Sequence, residues 1–127
     1  GVRTIYAYDF DLPAGAISGR RVFAQVPEGA GTPDGLTVDA EGFVWSAHWD
    51  GWCITRYDPD GAVERVIDLP VPRPTSAVFG GRDLSTLFVT TARIRLSAEQ
   101  LKQSPLSGSV FAIATNIKGL PEHRFAG

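Results

Sequence analysis

The sequence predicts an all-β chain built from small antiparallel sheets set side by side as propeller blades. Three observations lead there. Short runs rich in Val, Ile, Phe, Tyr and Thr alternate with Gly, Pro and Asp along the 127 residues. Tight-turn signatures separate adjacent runs. The runs also recur: Ile5-Tyr6-Ala7-Tyr8-Asp9, Ile54-Thr55-Arg56-Tyr57-Asp58 and Val110-Phe111-Ala112-Ile113-Ala114 lie about 50 residues apart. Phe43-Val44-Trp45 and Leu87-Phe88-Val89 are 44 apart, and Pro33-Asp34-Gly35 and Pro74-Thr75-Ser76 are 41 apart. A period of about 40–50 residues holding four short strands is that of a propeller blade, a sheet whose faces are buried only against its neighbours.

Taken in order, residues 1–31 form a partial blade. Its strand signal is Thr4–Phe10, and it supplies only the outer strands. Residues 32–73 form a complete blade with strands over Leu36–Val38, Phe43–Ala47, Cys53–Tyr57 and Val63–Asp68. Asp39-Ala40-Glu41-Gly42 joins the first two through a tight turn that needs positive φ at Gly, and Asp58-Pro59-Asp60-Gly61 joins the last two with Pro fixing the first turn dihedral. The acidic residues of both turns read as turn chemistry. Residues 74–127 form another blade, with strands over Ser76–Phe79, Leu87–Thr91 and Ser109–Ala114 and a long insertion between its second and third strands. The insertion holds the one helix signal, Ser97–Gln103, with Ser97 as N-cap and Ser104-Pro105 as stop. Two and a half blades cannot close a ring. The expectation is therefore half of a single propeller domain, completed by a missing amino-terminal half or by copies of itself. The opening Gly1-Val2-Arg3, without Met, points the same way.

Composition narrows the classes of partner. Apolar residues make up 43% and charged residues 20% of the chain, and the net charge is −2. No basic cluster stands out, so no nucleic-acid partner is expected. No apolar run approaches the ~20 residues of a membrane span. Cys53 is the one cysteine, which excludes an internal disulfide and makes a reducing, cytoplasmic setting the default. It lies in Trp52-Cys53-Ile54 and reads as a buried structural thiol.

In a four-stranded meander, the loop before the first strand and the loop between the second and third emerge on one face. That face collects Pro33-Asp34-Gly35, Pro74-Thr75-Ser76, His48-Trp49-Asp50-Gly51-Trp52 and the segment from Arg93 to Gly108. Asp34 has two readings, a turn residue or a carboxylate ligand for a hard cation at the mouth of a channel. His48 reads as pocket-lining or hydrogen-bonded, with proton carrier or metal ligand as the alternative. Trp49 and Trp52 either stack on a sugar-like ring or pack between sheets. Thr75 occupies the position equivalent to the Asp34 turn. Arg93 either binds an anionic group or braces the insertion.

These residues carry a family resemblance. Pro33-Asp34-Gly35-Leu36-Thr37-Val38-Asp39-Ala40-Glu41-Gly42 and Val44-Trp45-Ser46-Ala47 resemble the central signature of the regucalcin (senescence marker protein)/gluconolactonase/luciferin-regenerating-enzyme-like family. Arg56-Tyr57-Asp58-Pro59-Asp60-Gly61, Leu69-Pro70-Val71-Pro72, Pro74-Thr75-Ser76, Phe79-Gly80-Gly81, Leu87–Arg93 and Ser107–Phe111 are similar to the family's segments carboxy-terminal to that signature. Phe125-Ala126-Gly127 is similar to the family's carboxy terminus. The resemblance implies a six-bladed β-propeller of which this chain is the carboxy-terminal half. It implies hydrolysis of sugar lactones with one divalent cation (calcium, zinc, manganese or magnesium), and Asp34 as both metal ligand and catalytic base. His48, Trp49, Thr75 and Arg93 are the expected substrate-pocket residues. The family's other ligands, a Glu and an Asn, have no matching position, so the chain alone is expected to be inactive. A non-catalytic calcium-binding propeller and a self-associating half-propeller are the alternatives.

Overall fold

The computed structural model of the chain describes residues 2–123. Its strands form three antiparallel sheets in chain order. The first pairs β1 (Thr4–Asp11) with β2 (Ala16–Gln25). The central sheet is the meander β3 (Thr32–Val38), β4 (Val44–Trp49), β5 (Cys53–Tyr57) and β6 (Val63–Asp68). The third holds β7 (Pro74–Gly80), β8 (Thr86–Thr91) and β9 (Val110–Ala114). Each strand is bonded to its neighbour in sequence, because the connections within a sheet are mostly too short for anything but a hairpin. At the two expected tight turns, Gly42 and Gly61 sit at φ of 82° and 86°, a region that only glycine enters without strain. In both, an aspartate side chain accepts from the turn backbone: Asp39 Oδ1 from Glu41 N at 2.9 Å and Asp58 Oδ1 from Asp60 N at 3.0 Å.

The central sheet is covered on both faces, and every residue of β5 is buried. Towards the third sheet, Trp45, Ala47, Ile54, Leu69 and Val71 pack with Ala77, Phe79, Leu87, Val89 and Ile117. The Trp45 and Phe79 rings meet edge to face, 5.6 Å apart at 82°. Towards the first sheet a smaller core joins Tyr57 to Ile5 and Ala24. The other faces of the end sheets stay bare. Tyr6, Phe10 and Ile17 on the first and Val78, Phe88 and Val110 on the third are exposed, as expected of sheets that lack a neighbour.

The structure adds one strand, β2, to those whose bounds the sequence marked. β2 lacks a clean apolar alternation, since Ser18-Gly19-Arg20-Arg21 interrupts it and most of the strand is exposed. The third sheet has three strands among the described residues. After Ala114 the chain leaves the sheet: Thr115 N donates to Ser85 O at 2.9 Å, and Gly119 N to Leu84 O at 2.9 Å. Gly119 then bridges to Asp39 of the central sheet. Glycine is required there, because a Cβ would lie 2.1 Å from that of Phe79. The likeness at Phe125-Ala126-Gly127 lies outside the described residues. The helix α1 (Ala98–Gln103) starts where expected, with Ser97 and Gln100 forming a reciprocal capping box. Among the described residues no helix is long and apolar enough to cross a membrane.

Candidate functional site

The expected functional face is built by two irregularities at equivalent places. Pro33 pairs with His48 and Leu36 with Ser46, so Asp34 and Gly35 together oppose only Ala47. This two-against-one register is a β-bulge, a device that re-aims a side chain at the end of a strand. The Asp34 side chain is exposed and, among the described residues, takes part in no ion pair. On β7 the register also slips, between Pro74 and Ser76, which leaves Thr75 as the extra residue. Its hydroxyl lies 2.7 Å from that of Thr90. The two bulges touch: a Cβ on Gly35 would lie 2.6 Å from Thr75 O and 2.5 Å from Ser76 Oγ. Glycine at 35 lets β7 come close to the backbone that carries Asp34.

Beside Asp34 lies an open depression lined by Thr32, Pro33, Asp34, Trp49 and Asp50. Trp49 and Asp34 thus line the same depression. The loop that carries Trp49 is unusual. Asp50 and Trp52 adopt φ of 57° and 61°, left-handed values that are costly for non-glycine residues. Arg73, which no local sequence signal marks, holds this loop. Its Nε donates to Asp50 Oδ1 at 2.6 Å, its guanidinium sits 4.9 Å from the centre of the Trp49 ring, and its Nη1 donates to Ile94 O. Arg93 is exposed on the insertion. Its side-chain stem lies beside Gly108, 3.3 Å from where a Cβ would stand, and among the described residues it makes no ion pair. Trp52 is 45% exposed and lines a neighbouring hollow with Asp50, Arg73, Gln100 and Gln103.

His48 is placed elsewhere. It is 2% exposed and faces the first sheet. Nδ1 lies 3.0 Å from Ala30 O, and Nε2 lies 3.3 Å from the Tyr57 hydroxyl. A carbonyl can only accept, so Nδ1 carries the proton and Nε2 accepts from Tyr57. The ring is a buried hydrogen-bonded strut, and it does not line the Asp34 depression. Burial lowers its pKa from 6.5, against a smaller upward pull from Ala30 O. Burial also raises the pKa of the neighbouring Cys53 thiol and, as the largest cause, that of Tyr57.

This burial sets the sign of a pH dependence. The unfolded chain binds a proton at His48 near pH 6.5, while the native chain resists it to lower pH. The His48 contribution is complete above about pH 6.5 and declines as pH falls below it. Unfolding midpoints measured from about pH 8 to about pH 5 are expected to drop on the acid side. His48→Gln should lower the midpoint throughout and flatten that slope; an unchanged slope would exonerate His48.

Among the described residues no three His, Cys, Asp or Glu side chains converge on a point that could hold a metal ion. Asp34 offers hard oxygen of the type calcium or magnesium prefers, but such ions take six or more ligands. Among the described residues, then, the donors for a complete cation site are not brought together.

Comparison with known proteins agrees with the sequence resemblance. Residues 2–93 match the SMP-30/Gluconolactonase/LRE-like region. The chain is 49% identical over 90 residues to a pentonolactonase of Haloferax volcanii, covering 71% of this chain and 31% of that protein. It is 43% identical over 124 residues to a 6-deoxy-6-sulfogluconolactonase of Pseudomonas putida, covering 97% of this chain and 42% of that protein. The crystal structure of regucalcin from Agrobacterium tumefaciens, described as a calcium-binding protein, superposes with a TM-score of 0.87 at 31% identity. That match covers 98% of this chain and 43% of that one. The chain thus spans less than half the length of each of these relatives. With the family match extending over residues 2–93, well over half of the sequence, the chain belongs to the SMP-30/gluconolactonase/LRE-like family.

Proposed function

We propose that the chain is the carboxy-terminal part of a six-bladed propeller that, when whole, hydrolyses sugar lactones with the help of a divalent cation. The observation that carries this reading is the bulge at Asp34-Gly35, where the exposed Asp34, which makes no ion pair among the described residues, lines a depression with Trp49. The two lactonases among the relatives support the substrate class. The bare apolar faces of the first and third sheets support completion by further blades. The blades on this reading are residues 1–31 (partial), 32–73 and 74–127. The buried free thiol Cys53 suits a reducing, cytoplasmic setting.

Each residue then has a role. Trp49 offers an aromatic face to the lactone ring, and Thr75 offers a hydroxyl beside the second bulge. Asp34 has two carboxylate oxygens, one to hold the cation and one to accept a proton from the attacking water. The cation, whether calcium, zinc, manganese or magnesium, would supply Lewis-acid polarisation of the lactone carbonyl. Arg93, which makes no ion pair among the described residues, would meet an anionic substituent. His48 is given no part in the chemistry, because its ring is engaged by Ala30 and Tyr57.

The test is hydrolysis of a panel of aldonolactones by the full-length protein. Turnover is expected to vanish with a chelator and return with a divalent cation, and the 127-residue chain alone is expected to show none. Cation binding with no turnover of any lactone would favour the second reading, a non-catalytic calcium-binding propeller, which the calcium-binding structural relative motivates. A closed oligomer of the 127-residue chain in a solution mass measurement would instead support self-association of half-propellers.

A further inference from the structure

We infer that Arg73 is the positioning residue of this site: it fixes Trp49 and Asp50 against the Asp34 depression, and thereby sets how tightly the lactone is held rather than how fast it reacts. The inference rests on the lactonase reading of the same depression.

Arg73 stands at the entry to the third sheet, just before Pro74, and its own backbone is anchored, since Ala92 N donates to Arg73 O at 2.9 Å. From there the side chain crosses to the central sheet and is only 12% exposed, although its partner Asp50 is 53% exposed. A guanidinium presents a planar fork with several donors, and this one uses them in different directions. Nε and Nη2 approach the two carboxylate oxygens of Asp50 at 2.6 and 3.5 Å. Nη1 takes the carbonyl of Ile94 from the insertion. The guanidinium Cζ lies over the Trp49 ring, 4.9 Å from the centroid. One residue thus ties the loop of Trp49 and Asp50, which lines the depression, to the insertion, which lines the neighbouring hollow, and it steadies Asp50 in its left-handed backbone at φ 57°.

The same pair separates two hollows. Asp50 lines the depression that contains Asp34 and Trp49, and Asp50 with Arg73 also lines the hollow containing Trp52, Gln100 and Gln103. Removing Arg73 leaves Trp49 without the cation over its ring and Asp50 with an uncompensated negative charge beside the depression. Asp34 sits on its own bulge in β3 and is not held by Arg73, so the chemical step is spared.

The experiment is steady-state kinetics of the full-length protein on a neutral aldonolactone and on one bearing an anionic substituent. Arg73→Met is expected to raise KM for the neutral lactone about tenfold while kcat changes less than about threefold. For the anionic lactone KM should rise a further several-fold, roughly what one unscreened like charge contributes. Arg73→Lys keeps the charge but not the fork and should fall between. Asp50→Asn should remove the extra penalty on the anionic lactone when combined with Arg73→Met, a non-additivity that loss of fold would not produce. Unfolding midpoints identify any variant that fails to fold, and Arg73→Lys and Asp50→Asn then carry the test. Equal losses in kcat on both lactones, or an unchanged KM in folded Arg73→Met, would overturn the inference. Absence of turnover in the unsubstituted protein would instead remove the lactonase reading, and this one with it.

Discussion

Asp34→Asn in the full-length protein is expected to lower kcat/KM for a lactone by about a thousandfold, the scale on which loss of a transition-state electrostatic group acts. Stability should move by no more than about 0.5 kcal/mol, as for a surface change that breaks no partner. Both effects have the same geometric origin. The side chain is exposed on a bulge and makes no ion pair among the described residues, so removing its charge breaks no contact there. Asparagine preserves its shape and one oxygen but not the anionic site that a hard cation requires. Calorimetric titration with the divalent cation should show affinity falling in parallel with activity. Asp34→Glu separates charge from reach: the carboxylate is retained but displaced by a methylene, and partial cation binding with poor turnover is expected. A folded Asp34→Asn protein that keeps activity within tenfold would remove Asp34 from both proposed roles.

What could be read from the sequence was whatever is encoded locally. β-branched and aromatic runs gave the strands, positive φ gave Gly42 and Gly61 their positions, and the Ser97 capping box gave the helix its start. Long-range pairing escaped. Pro33-Asp34-Gly35 reads as a turn because a bulge becomes visible only when the partner strand's register is known. His48 sits in β4, where most residues are buried on both faces, so no alternation tells which face its ring takes. Arg73 lies between two prolines in a connecting segment, and its partners Asp50 and Ile94 are 23 and 21 residues away. Asp39 escaped for a different reason. Turn chemistry alone is enough to explain an aspartate there, and it hides a second role.

That second role makes Asp39→Ala strongly destabilising, at about 3–5 kcal/mol, the cost of breaking a buried ion pair from one side. Asp39 is fully buried, and its carboxylate is saturated. Oδ1 accepts from Glu41 N and Phe43 N at 2.9 and 3.1 Å. Oδ2 accepts from Trp45 Nε1 and Arg56 Nε, both at 2.8 Å. Alanine would strand the indole N–H of Trp45 beside the main core and leave Arg56, whose side chain is 3% exposed, without its buried counter-charge. Glu41 and Glu64 still reach Arg56 at 2.5 and 3.2 Å. Glu41 is 55% exposed, however, so Glu41→Ala should cost about 1 kcal/mol or less. Asp39→Asn keeps acceptors for the turn but loses the charge facing Arg56, and it belongs between the two. Urea unfolding of the three variants in parallel gives the ranking. A loss in Asp39→Ala no larger than in Glu41→Ala would mean that the turn, and not the buried pair, is what Asp39 holds together.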